Sequence, residues 1–280
     1  MKSIILITLI CLIFQPIFAQ SSFSTNNDKG FFSYEFIRPS IDFGGDDGAS
    51  LFTGAHHFGL HVKMNPRLMF VAELPVANLG LPEEGFRVAE TGTKIGNPYV
   101  GVQFGNPNRR VFVEFGTRIP VFDREDFSLI HSIAAFADYI DRLEGFAPKV
   151  LPFQFFINNR FINRKNGAFF NFRSGGSLIF LVSRENSSFT EDASFHFING
   201  FQAGIDNRQL RFGIIYNSRW LITEDGDFSD LYFHTVGAKV DVKLNYFEPY
   251  LSFRKPLNES YSEIASYILT FGIQISASPR

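Results

Sequence analysis

The sequence predicts an all-β protein, a transmembrane antiparallel up-and-down β-barrel of about 12 strands with one helix in a long external loop. Three observations predict it. Polar and apolar residues alternate with period two over long segments, as in strands with one wet face and one apolar face. The connections between those segments are short and long in turn. Phe occurs 36 times in 280 residues while only 19% of the chain is charged, against about 25% in ordinary soluble domains. A mean hydropathy of +0.02 excludes a bundle of membrane helices. A net charge of −2 gives nucleic acid no basic surface to bind.

Residues 1–19 read as a signal peptide. Lys2 precedes an apolar run from Ile4 to Phe14, Gln15-Pro16 breaks it, and Ala19 offers a small residue at the exit. The run is shorter than the roughly 20 residues of a spanning helix. Cys11 lies inside the apolar core, so the mature chain is expected to lack cysteine and to be exported without disulfides. The expected destination is the cell outer membrane, with its lipids and the barrel assembly machinery as partners. Residues 20–30 form a short periplasmic segment, too short for a plug domain, and 31–280 form the barrel.

The strands are expected at 31–42, 53–64, 68–77, 95–104, 109–120, 149–162, 167–182, 193–205, 209–222, 230–243, 247–256 and 262–276. In 109–120, Val111, Val113, Phe115 and Thr117 share one face, and Phe112, Glu114, Gly116 and Arg118 the other. In 209–222, Leu210, Phe212, Ile214 and Tyr216 oppose Arg211, Gly213, Asn217 and Arg219. Most segments reach the 9–11 residues or so that cross a bilayer at a tilt. An even count puts both termini at the periplasmic end. In this register 19 of the 34 Phe beyond residue 19 point outward, which turns the aromatic excess into a lipid-facing coat.

The long connections carry 18 acids, among them Asp46, Asp47, Glu83, Glu84, Glu191, Asp192, Asp225 and Asp227, against five bases, Arg87, Lys94, Arg124, Arg142 and Arg184. Such loops could bridge to lipopolysaccharide through divalent cations, or simply be solvated. One of them carries a helix pattern: Phe127, Ile130, Ala134, Ala137 and Leu143 form an apolar stripe, with Ile133 and Ile140 beside it. Glu125 and Asp126 sit at its start, Gly145 and Pro148 at its end, and Asp138 and Arg142 are an i,i+4 pair. This external helix either folds over or into the mouth as a gate, or packs on the rim as a lid.

Alternation places Lys63, Glu73, Glu114, Arg118, Arg160, Arg173, Arg211, Arg219, Lys239, Asp241, Glu248 and Arg254 on the inward face, with Glu35 and Lys243. These are the candidate pore-lining residues, and their basic excess favours anions or polar solutes. They could equally pair into ladders that fill a narrow barrel. Inward glycines, including Gly59, Gly101, Gly116, Gly175, Gly213 and Gly272, would leave room for water or solute. The reading is thus a passive or loop-gated channel for small solutes, or a closed structural or adhesive barrel whose acidic loops bind a surface partner.

No catalytic residues emerge. None of the six histidines stands in a His-x-Ser strand pair, and no phosphate loop, Cys-rich zinc pattern or Gly-x-Ser-x-Gly turn occurs. His57 and His61 share the inward face without an evident carboxylate neighbour, so neither a metal nor another cofactor is expected. The chain is therefore expected not to be an enzyme.

The stretch Lys94-Ile95-Gly96-Asn97-Pro98-Tyr99-Val100-Gly101, flanked by Glu73-Leu74-Pro75 and Arg118-Ile119-Pro120, resembles the Gly-Asn-Pro-Tyr-x-Gly strand of a known family. That family comprises outer-membrane barrels grouped as transporters associated with meta-pathway phenol degradation. The resemblance covers residues 60–120 and implies an outer-membrane channel for small, including hydrophobic, compounds. The Ala19-Gln20 junction resembles signal-peptide ends of Bacteroidetes-type bacteria.

Overall fold

The computed structural model describes residues 30–41, 52–80, 91–105, 111–123, 125–163, 166–182, 193–223 and 231–277. The expected signal peptide, nearly all of the expected periplasmic segment and most of the acidic connections lie outside the described residues. The strands are β1 (Phe31–Pro39), β2 (Gly54–Asn65), β3 (Leu68–Leu79), β4 (Gly92–Ile95), β5 (Tyr99–Phe104), β6 (Val111–Arg118), β7 (Val150–Ile162), β8 (Ala168–Leu181), β9 (Ala193–Asp206), β10 (Leu210–Leu221), β11 (Tyr232–Val242), β12 (Phe247–Pro256) and β13 (Ile268–Ser276). Every pairing is antiparallel, and the β1–β13 pairing closes the sheet into an up-and-down barrel.

Twelve staves make the wall, because β4 and β5 are two pieces of one. Both pair with β3, Val76 opposite Ile95 and Glu73 opposite Tyr99. The stave breaks at Gly96-Asn97-Pro98, where Pro98 has no N–H to donate to a ladder. The expected continuous strand 95–104 is thus interrupted at the stretch that carries the family resemblance.

The two faces differ as period two requires. Phe104, Phe115, Phe153, Phe212, Phe253 and Phe271 stand exposed on the outer wall, while Glu114, Arg173, Arg211, Lys239 and Glu248 are buried inside. The closed pairing leaves the apolar coat on strands hydrogen-bonded on both sides, apart from β4, which among the described residues pairs with β3 alone.

Between β6 and β7 lie α1 (Leu129–Ala137), α2 (Tyr139–Arg142) and a 3-10 turn over Leu143–Gly145. A second short helix, α3 (Glu259–Ile264), occupies residues that alternation assigned partly to the last strand, which begins at Ile268 instead.

Candidate functional site

The β6–β7 connection turns inward and fills the long-loop end of the barrel. Its helix is not outside the wall. Ile130, Ile133, Ala134 and Ala137 of α1 join one buried apolar cluster with Ile37 of β1, Ala55 of β2, Ala77 and Leu79 of β3, and Ile268 of β13. Tyr261 of α3 donates its hydroxyl to the Phe136 carbonyl at 2.7 Å. Ser128 stands at the N-cap of α1 without a side-chain cap bond, and α1 stops at Asp138, so the expected single helix is broken there. Of the residues assigned to an external helix, Ile130, Asp138 and Arg142 are buried in the barrel and Phe127 stays exposed.

Below the apolar cluster the loop presents charges to the wall. Arg142 pairs with Glu35, with Glu73 Oε2 at 2.9 Å, and with Asp138 one helical turn before it. Glu73 also receives Arg118 Nη2 at 2.7 Å. Asp141 accepts from Asn217 Nδ2 at 2.8 Å and lies 3.5 Å from Arg254 and 3.7 Å from Arg173. Glu144 pairs with Arg219 at 2.5 Å. Among the described residues the buried acids are Glu35, Glu114, Asp138, Asp141, Glu144, Asp241 and Glu248, seven in all, and the buried bases are Arg118, Arg142, Arg173, Arg211, Arg219, Lys239 and Arg254, also seven. The loop's acids therefore complete the neutralisation of a wall that is basic on its β8–β12 side, as a low-dielectric interior demands. Burial pushes the Glu144 carboxyl up, but the Arg219 guanidinium and its hydrogen bonds hold it at about 2. Burial likewise raises Asp138, and Arg142 with Arg254 brings it below the ordinary carboxylate value. Asp141 ends above that value, because burial and the adjacent Asp138 outweigh its arginines.

The two legs of the loop are fastened at the break in the wall. Asn97 is fully buried. Its Nδ2 donates to the carbonyls of Glu144 at 2.9 Å and Ala147 at 2.7 Å, while its Oδ1 accepts from Val121 N at 3.1 Å. Its backbone N–H bonds Gly145 O at 2.7 Å, and its carbonyl accepts from Arg118 Nη1 at 3.1 Å. Gly96 permits the close approach, since a Cβ there would strike Gly145 O and the Phe146 ring.

Most residues assigned to the lumen by alternation do lie inside the barrel: Glu114, Arg118, Arg173, Arg211, Arg219, Lys239, Asp241, Glu248 and Arg254 are buried, and Glu73 nearly so. Lys63 does not. It is exposed at the end of β2, beside a register shift at Lys63/Asn65. Arg160 is half-buried toward the short-turn end. Several of the inward glycines make room for aromatic rings, not for solute. A Cβ on Gly101 or Gly116 would overlap Tyr99, one on Gly272 would overlap Tyr250, and one on Gly213 would meet Phe169. Tyr99 and Tyr250 consequently lie flat over neighbouring strands. The Tyr99 hydroxyl donates to Glu114 at 2.8 Å, and Lys239 stands 3.8 Å over the Tyr250 ring.

Small interior spaces remain among the described residues. A cavity of about 20 Å³ is bounded by Glu35, His57, His61, Glu73, Tyr99 and Arg142, and another of about 20 Å³ by Arg118, Asp141, Gln154 and Arg173. Each has room for a single water. Gln154 Nε2 and both polar side-chain atoms of Asn158 are buried without a hydrogen-bond partner among the described residues. The loop fills the long-loop end of the lumen with an apolar cluster, and charged and polar side chains lie below it.

No protein-family model matches the chain, and no curated protein matches it. Its fold is similar to that of the NanC porin, at 9% identity over 89% of this chain and 98% of that one, with a TM-score of 0.46. LpxR from Salmonella typhimurium matches at 8% identity over 89% and 100%, TM-score 0.48. The TodX monoaromatic hydrocarbon channel matches at 8% identity over 92% and 91%, TM-score 0.43. The expectation that the chain is not an enzyme is corrected, because a premise of it falls. His57 does have carboxylate neighbours, Glu73 Oε1 at 3.3 Å and Asp138 Oδ2 at 3.7 Å. Asp138 comes from the inserted loop, so alternation along the wall could not reveal it.

Proposed function

We propose that this chain is an outer-membrane channel for small solutes, gated by the β6–β7 loop, with the long connections facing outward from the cell. The observation that carries the reading is the seat of the loop. Below the apolar cluster that α1 forms with the long-loop end of the wall, it rests on polar and charged wall residues (Glu35, Glu73, Arg173, Asn217, Arg219, Arg254). A permanently filled barrel gains more from well-packed apolar side chains than from buried ion pairs. A wall that is alternately covered and wet needs groups that pair in one state and hydrate in the other. The flat tyrosines support the same reading, since they keep bulky rings away from the barrel axis.

Lipids of the outer membrane, lipopolysaccharide at the acidic connections and the barrel assembly machinery are the partners this reading calls for. The resemblance of residues 60–120 to the family associated with meta-pathway phenol degradation fits a channel role. Its Gly96-Asn97-Pro98 stretch here fastens the gate. The small cavities favour a second reading, a closed structural or adhesive barrel. Single-channel recording in planar bilayers separates the two. Stepwise openings are expected of the gated channel, and their complete absence from correctly inserted protein, together with silence of a variant lacking the loop, would leave the closed barrel.

A further inference from the structure

We infer that the loop's carboxylates occupy the binding site of the transported solute, and that the solute is a small organic carboxylate held by Arg173, Asn217 and Arg254, with Arg219 as a second anchor. The inference rests on the gated-channel reading and names its substrate class.

Asp141 is a loop side chain in a socket built by the wall. Asn217 of β10 donates to it at 2.8 Å, Arg254 of β12 stands at 3.5 Å, and Arg173 of β8 at 3.7 Å. Glu144, three residues on, sits on Arg219 at 2.5 Å. The wall arginines also have contacts of their own that do not involve the loop. The Arg173 guanidinium lies 3.3 Å over the Phe156 ring, Arg254 reaches Thr270 Oγ1 at 3.4 Å, and Arg219 Nε bonds His196 Nδ1 at 2.9 Å. They are therefore positioned before the loop docks and would stay so after it leaves, which is the preorganisation that carboxylate recognition needs.

The opposite arc does not offer an equal site for cations. When Arg142 leaves, Glu73 keeps Arg118 at 2.7 Å and His57 at 3.3 Å, so Glu35 is the main acid uncovered. The uncovered basic arc exceeds it. A carboxylate of the solute would replace Asp141, and a second one at suitable spacing would replace Glu144, so dicarboxylates should outrank monocarboxylates. Charge neutralisation alone would need no such socket around one loop carboxylate.

The test is single-channel recording of the full-length protein with succinate, and with butane-1,4-diol as the neutral probe of similar length. Succinate should raise the open fraction of the wild type, or block its open current, where the diol does neither. Arg173→Gln/Arg254→Gln should weaken that response about tenfold or more, the least expected when charge-assisted hydrogen bonds are lost. Asp141→Asn should open more often without succinate and respond less to it, which keeps the test available if the arginine variant does not fold. Openings that are indifferent to succinate in all three proteins would overturn the inference and leave the gated channel standing. A wild type and an Asn97→Ala variant that never open would sink both.

Discussion

Glu144 on the inserted loop and Arg219 on β10 form a fully buried pair, Oε1 to Nη2 at 2.5 Å, and Arg219 Nη1 also donates to the carbonyls of Tyr139 at 3.2 Å and Ile140 at 3.4 Å. One wall side chain thus binds the loop through both a carboxylate and its backbone. Arg219→Ala would strand the Glu144 carboxylate in the lumen, at a cost to loop docking of about 3–5 kcal/mol. Faster protease cleavage within residues 119–149 in proteoliposomes is the expected result, and Glu144→Leu added to Arg219→Met should restore much of the protection. Unchanged cleavage in Arg219→Ala would show that this pair does not hold the loop.

The same pair sets an acid limit on closure. The Glu144 carboxyl is held at about 2 in the docked loop, against about 4.3 when free in solution. A depressed folded-state value contributes docking stability that is complete well above about pH 4.3 and fades as the pH falls toward 2. Open fraction should therefore be flat from about pH 8 to 5 and rise below about pH 4. Glu144→Gln should open more at neutral pH and flatten the acid rise. An acid response identical to wild type in Glu144→Gln would assign the transition to another group.

Gly116 and Gly272 are predicted to resist any side chain. Alanine at either would drive Tyr99 or Tyr250 off the wall, an overpacking cost of about 1–3 kcal/mol. Urea unfolding followed by heat-modifiable gel migration reads this out. Pairing Gly272→Ala with Tyr250→Leu should recover the loss, and no recovery would mean that the glycine serves the backbone and not the ring.

The wall was largely readable in the sequence because burial on a two-sided sheet repeats every second residue, as Arg211, Gly213, Asn217 and Arg219 do along β10. The path of the loop was not readable from its own stripe, since Ile130, Ala134 and Ala137 announce a buried face without saying what covers it. The missing signal lay across the barrel. Ile37, Ala55, Ala77 and Leu79 are inward positions near the long-loop ends of their strands, where no charged residue shares the face with them. Asn97, Asp141 and Glu144 went unassigned as site residues because their partners lie on other elements. The α3 turn was hidden by alternation that a short helix after Asn258 overrides. The glycines misled because a missing Cβ says nothing of whether water or a neighbouring ring takes the space.

Asn97 is predicted to hold the gate by its frame. Asn97→Ala removes the hydrogen bonds to Glu144 O, Ala147 O and Val121 N, leaving buried backbone groups unpaired at about 1–3 kcal/mol each. Longer and more frequent openings should follow with unchanged barrel thermostability. A loss of thermostability without a change in opening would make Asn97 a wall residue and nothing more.

The most direct measurement is the single-channel conductance of the barrel with Phe127–Ala147 replaced by a short Gly-Ser linker, compared with the wild type in the same planar bilayers. The gated-channel account predicts a wild type that is mostly closed with discrete openings, and a loop-less barrel that conducts continuously at the same unit level or higher. A loop-less barrel that inserts, migrates as a folded species and carries no current would contradict it.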